Sequence, residues 1–133
     1  MNAHGTRWRG PILLLGLLAI SGCGPSKAQQ AKDAVRRGVA HAHQREFYQA
    51  IAEFTEAIRL NPNDAETYYR RGAAYDEVYA AGLAIADFTK AIQLDPNYAK
   101  AYYYRYILYE ETGEFDKAKA DLAKAKLLGY EPQ

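Results

Sequence analysis

The sequence predicts an all-α solenoid of stacked helical hairpins. Three observations lead there. Residues recur at a spacing of 34, starting at Ala31, Ala65 and Ala99, and a fixed period of this length marks a repeat architecture. Small residues alternate with large apolar ones at helical spacing inside each period, which suits closely packed helices. The breaks fall at matching places: Asn61-Pro62, Asp95-Pro96 and Thr112-Gly113. Proline disfavours helix in the residue before it and suits the first turn of the next helix.

In chain order, residues 1–22 are unlike the rest. Arg7 and Arg9 give a positive start, Pro11–Ile20 is apolar throughout, and Ser21 and Gly22 are small. That order describes a secretory signal peptide. The apolar run falls short of the roughly 20 residues a bilayer-spanning helix needs. Ile20-Ser21-Gly22-Cys23 resembles the bacterial lipobox. The resemblance implies cleavage before Cys23 and lipidation of that residue, by diacylglycerol on its sulfur and a palmitate-type acyl chain. Several acyl chains make a stable anchor where one is marginal. Ordinary cleavage after Ser21 is the alternative, and it would leave the only cysteine of the chain free. Gly24 after the cysteine implies, by the rule such lipoproteins follow, the outer membrane of a Gram-negative cell, on its periplasmic face. Residues 23–30 then form a lipidated tether, and residues 31–133 the folded domain.

That domain divides into repeats 31–64, 65–98 and 99–132. Ala50, Ala84 and Ala118 share a column, as do Phe54, Phe88 and Leu122, and Ala57, Ala91 and Ala125. Glu53, Asp87 and Asp121 form an acidic column, and Gly38 matches Gly72. These columns resemble the tetratricopeptide repeat. Its pattern wants an aromatic at position 4, Gly or Ala at 8, Tyr at 11, Ala at 20, Phe at 24, Ala at 27 and Pro at 32. The middle repeat satisfies every one, with Tyr68, Gly72, Tyr75, Ala84, Phe88, Ala91 and Pro96. The first has Ala34 and His41 at positions 4 and 11. The third has Tyr106 where glycine is usual and Tyr130 where proline is usual. The resemblance implies an alpha-alpha superhelix of three A/B helix pairs. Ala81 replaces the aromatic seen as Phe47 and Phe115, so the turn at Tyr79–Gly82 is expected to be looser or shifted. Lys117, Lys119, Lys124 and Lys126 make the last helix polar, as a terminal cap requires.

The same resemblance places A-helix positions 2, 5, 9, 12 and 13 in a concave partner-binding groove. Carried over, these give Lys32, Val35, Val39, Ala42 and His43, then Glu66, Tyr69, Ala73, Asp76 and Glu77, then Lys100, Tyr103, Ile107, Glu110 and Glu111. The groove thus has an apolar ladder and an acidic edge. That suits a protein or peptide with apolar anchors and some basic charge. The carboxylate clamp of chaperone-binding members wants basic and Asn residues. Only Lys100 fits, and Val35, Val39 and Tyr104 do not, so that ligand class is rejected. Tyr68, Tyr75, Tyr102 and Tyr109 are expected to be packing residues.

Other chemistries lack a carrier. With 17 Lys plus Arg against 16 Asp plus Glu and no polybasic run, nothing provides for a nucleic-acid backbone. His41 and His43 stand on different helix faces, a poor metal pair, and His41 occupies a packing column. No metalloprotease, phosphate-loop or nucleophile motif is present. The sequence therefore points to a membrane-anchored, non-enzymatic adaptor of the bacterial envelope, without cofactor, metal or catalytic residues. Two alternatives remain: a self-assembling lipoprotein that oligomerises through its third repeat, and a small-ligand or glycan binder.

Overall fold

The structure, a computed structural model, describes residues 23–131. The signal-peptide segment 1–22 lies outside the described residues. Among the described residues six α-helices follow one another: α1 Lys27–His43, α2 Phe47–Leu60, α3 Ala65–Glu77, α4 Ala81–Leu94, α5 Ala99–Glu111 and α6 Phe115–Leu127. No strand occurs among the described residues. Each odd helix packs on the even helix after it, and α2 then packs on α3 and α4 on α5. Every helix thus meets its sequence neighbours, the arrangement of a solenoid.

α1 starts earlier than the 34-residue period suggests. Lys27–Gln30, read from the sequence as the end of a tether, are helical. The Ser26 hydroxyl accepts the Gln29 N–H at 3.2 Å, a good N-cap, and Lys-Ala-Gln-Gln are strong helix formers.

The turn of the middle repeat keeps its register despite Ala81. α2, α4 and α6 begin at Phe47, Ala81 and Phe115, each 34 residues after the last. All three A helices end with a left-handed residue: Arg45 (φ 61°), Tyr79 (φ 60°) and Gly113 (φ 80°). The next N–H reaches back five residues to the helix: Glu46 to His41 at 2.9 Å, Ala80 to Tyr75 at 2.9 Å and Glu114 to Tyr109 at 2.8 Å. This double-bonded helix end fixes the chain path through backbone bonds. The missing aromatic therefore does not loosen the turn.

The core holds the small and large columns foreseen. Ala50, Ala84 and Ala118 are fully buried, as are Phe54 and Phe88. Gly38 and Gly72 let the phenyl rings approach. A Cβ at Gly38 would stand 2.6 Å from Phe54 Cε1, and one at Gly72 would stand 2.9 Å from Phe88 Cε1. In the third repeat the matching positions are Tyr106 and the smaller, half-buried Leu122.

The acidic column has a basic partner at the same period. Arg71 Nε donates to Asp87 at 2.8 Å and Arg105 Nε to Asp121 at 2.7 Å, each also through its Nη2. The Nη1 of each arginine then reaches into the previous repeat, to Thr55 at 3.1 Å and Thr89 at 2.9 Å. Each guanidinium also lies over two tyrosine rings, Tyr68 and Tyr75 or Tyr102 and Tyr109. One side chain thus ties the two helices of its hairpin to the hairpin before. Arg37 bonds Glu53 at 2.9 Å in the first repeat, but there the pair is exposed.

Candidate functional site: the concave groove

The predicted groove positions lie on the A helices α1, α3 and α5. Val39, Ala42, His43, Tyr69, Ala73 and Glu77 line a single open cavity of about 270 Å³ between the first two repeats. Phe47, Phe54, Arg70 and Ala74 complete its lining. Apolar walls with a few polar groups at the rim are the usual make-up of a binding pocket. Lys32 and Val35 line a separate, larger cleft of about 610 Å³ near the start of α1.

The remaining groove positions are spread along α3 and α5. Lys100 and Glu110 are exposed, and Ile107 is half-buried. Asp76 is half-buried, and burial pushes its carboxyl above the usual aspartate range, with the nearby charges of Glu111 and Glu77 adding to the shift. Asp76, Glu77 and Glu111 are thus close enough to act on one another where the A helices end. Helix C-termini carry partial negative charge, which reinforces this acidic edge. At the other end Glu66 is not free. It pairs with Arg70 at 2.6 Å and accepts a hydrogen bond from the Tyr98 hydroxyl.

Tyr69 and Tyr103 are both half-buried, and both are covered in part by the chain itself. The Tyr69 ring lies 5.8 Å from Phe88, 5.1 Å from Tyr98 and 5.9 Å from Tyr104. Burial pushes its phenol well above the ordinary tyrosine value, and the Tyr104 side chain pushes it further. Tyr103 meets Tyr104, Tyr106 and, at 5.0 Å, Tyr130. Sequence reasoning missed these covering tyrosines because Tyr98 and Tyr130 stand in different columns of the period. Tyr68 and Tyr109 are buried, as expected of packing residues.

Two expectations about histidine and metal meet the structure here. His41 is only half-buried, and its Nδ1 contacts Glu46 at 2.6 Å across the first turn. Its ring pairs with the Glu46 carboxylate and stays partly exposed, so the fully packed role expected of it is not met. Among the described residues no three His, Cys, Asp or Glu side chains are grouped so as to hold a metal ion. No described helix is long and apolar enough to cross a membrane, and Cys23 is exposed.

Comparisons agree with this geometry. The family described as "TPR repeat" matches residues 40–77, and the one described as "Tetratricopeptide repeat" matches residues 65–98. The TPR domain of Arabidopsis OM64 is 31% identical, over 77% of this chain and 85% of that one, with a TM-score of 0.75. The chain belongs to the tetratricopeptide repeat family. A second relative, the second TPR of Spaghetti (RPAP3) bound to the HSP90 peptide SRMEEVD, is 30% identical. That match covers 76% of this chain and 94% of the other, with a TM-score of 0.74. The TPR2B domain of yeast Sti1, solved in complex with an Hsp70 peptide, is 30% identical over 74% of this chain and 79% of that one, with a TM-score of 0.72. No curated protein sequence matches the chain. Tetratricopeptide repeats are protein-interaction modules, and the relatives with bound peptides are examples.

Proposed function

We propose that this tetratricopeptide repeat chain is an adaptor, held to the bacterial envelope by lipid on Cys23, that grips a partner protein or peptide in its concave groove. One observation supports the reading: six of the groove positions in the first two repeats, Val39, Ala42, His43, Tyr69, Ala73 and Glu77, line one open, mainly apolar cavity. The peptide-bound relatives support a peptide as its occupant.

The chemistry of the groove favours a different peptide from theirs. The relative's peptide, SRMEEVD, has three acidic residues in its last four. Here Asp76, Glu77, Glu110 and Glu111 gather at one end of the A helices, and Val35, Val39 and Tyr104 stand where a carboxylate clamp needs cationic or amide groups. A partner with apolar anchors and a basic residue directed at the acidic edge fits this groove. Like charges brought together would disfavour an acidic tail there.

The self-assembly alternative receives less support. α2 and α4 face the next repeat with Ile58 and Ile92, which pack on the core beyond. The equivalent residue in α6 is Lys126, and Lys119 replaces Ile51 and Ile85. Both lysines are exposed, so this face resists an apolar contact.

Ala73→Arg tests the groove, because it fills the cavity while leaving the rings around Tyr69 in place. Capture of a partner from solubilised envelope is expected to fail with Ala73→Arg, and to weaken with Glu77→Lys. Undiminished capture by both variants would remove the groove from the account. Incorporation of labelled palmitate, expected in the parent chain and lost in Cys23→Ser, tests the anchor separately.

A further inference from the structure

The three repeats treat one place in the groove differently. Position 5 of each A helix is Val35, Tyr69 and Tyr103. In the second and third repeats a tyrosine arriving after the B helix covers it. Tyr98 lies on Tyr69 with ring centres 5.1 Å apart, and Tyr130 lies on Tyr103 at 5.0 Å. Tyr98 also packs on the core cluster that holds Ala91 and Leu94, and its hydroxyl donates to Glu66.

A shift of 34 residues carries this arrangement to the first repeat. Ala91 and Leu94 become Ala57 and Leu60, so the apolar walls are kept. Tyr69 becomes Val35 and Tyr98 becomes Asp64, so both rings are missing. The result is the cleft of about 610 Å³, lined by Val35, Ala57, Leu60, Asp64 and Lys32. The Asp64 carboxylate is already engaged, since it accepts the Glu66 N–H and the Thr67 hydroxyl in the first turn of α3. Lys32, standing where Glu66 takes the tyrosine hydroxyl in the next repeat, pairs with no carboxylate among the described residues.

We propose that this cleft receives an aromatic side chain of the partner segment, with an acidic residue beside it facing Lys32. The partner ring completes the tyrosine-on-apolar packing that the other two repeats make internally. Aromatic side chains bury a large area with little loss of freedom, which makes them effective anchors. The assignment rests on the groove reading only in taking the ring from a protein. It also gives the bound segment a polarity, with its acidic–aromatic part at the start of the A helices and its basic part at their ends.

Three small phenols probe the cleft in the full chain: neutral p-cresol, anionic 4-hydroxyphenylacetate and cationic tyramine. Methyl NMR of Ala31, Val35, Ala57 and Leu60 follows binding, with Kd values on the order of 1 mM expected for ligands this small. The anion is expected to bind several-fold tighter than the cation, and Lys32→Glu, an exposed change, to reverse that order. Val35→Tyr is expected to abolish the shifts by filling the space, while Ala73→Arg leaves them intact. Shifts scattered over the surface, or an order of affinity that Lys32→Glu does not alter, would overturn the proposal. Failure of the phenols with Ala73→Arg still blocking capture refutes this cleft and keeps the groove. Phenol binding with capture insensitive to Ala73→Arg refutes the groove reading and leaves the cleft standing as an aromatic site.

Discussion

Replacing Gly38 with alanine puts helix propensity and packing in direct opposition. In a helix, alanine is favoured over glycine by about 1 kcal/mol. Against this, the new Cβ would stand 2.6 Å from Phe54 Cε1 and 2.8 Å from Cδ1, well inside the 3.5–4.0 Å at which carbon atoms attract. Phe54 is only 1% exposed, so its ring has nowhere to withdraw without displacing the hairpin. Overpacking of this kind costs roughly 1–3 kcal/mol, which leaves Gly38→Ala less stable by about 1 kcal/mol once the propensity gain is set against it. Gly82 supplies the control, since a Cβ there meets nothing within 4 Å. Both substitutions restrict the unfolded chain equally, yet Gly82→Ala is expected to stabilise and Gly38→Ala to destabilise. Phe54→Leu, which copies the Leu122 of the repeat that carries Tyr106 in the glycine column, should recover much of the loss in Gly38→Ala. Urea midpoints at constant slope give the comparison. The reasoning fails if Gly38→Ala stabilises as much as Gly82→Ala, or if its effect simply adds to that of Phe54→Leu.

Other consequences are as direct. Arg105→Met leaves Asp121 buried without its partner and is expected to lower stability by about 3 kcal/mol, whereas Arg37→Met at the exposed first-repeat pair should change the urea midpoint little. Tyr79 is 95% exposed and left-handed at φ 60°, so Tyr79→Gly should raise stability by roughly 0.5–1 kcal/mol, and a loss would show that the side chain contributes something beyond its backbone strain. The raised Asp76 pKa means the folded state holds its proton more tightly than the unfolded one. This group therefore favours folding as pH falls through the folded value and opposes it above that value. Carboxyl NMR should place the midpoint above that of ordinary aspartates, and Glu111→Gln should lower it.

Much of the fold was legible because the same physical solution is written three times. Ala50, Ala84 and Ala118 repeat because helix backbones touch there, and Phe54 and Phe88 because each fills the space its glycine opens. The arginine ladder was equally present, at Arg37, Arg71 and Arg105. Its role depends on partners 16 residues away and in the preceding repeat, a relation that a column of one residue type does not display. The middle turn was misjudged for a related reason. The aromatic column breaks at Ala81, but backbone hydrogen bonds and the left-handed Tyr79, which no column displays, set the chain path. In the groove, position numbers name Val39, Ala73 and Tyr69, which line one cavity. They did not reveal that Tyr98 and Tyr130 turn back onto Tyr69 and Tyr103, since those two arrive from different columns. The open cleft of the first repeat stands out only when the covering rings of the other two are known.

Photo-crosslinking tests the binding face most directly. A benzophenone amino acid replaces His43, an exposed residue lining the groove cavity, in one variant and Leu83, an exposed residue on α4, in another, and both are irradiated in intact cells. A discrete protein adduct from position 43 and none from position 83 is the predicted outcome. Adducts from position 83 alone, or from neither position, would contradict the claim that the concave face holds a partner.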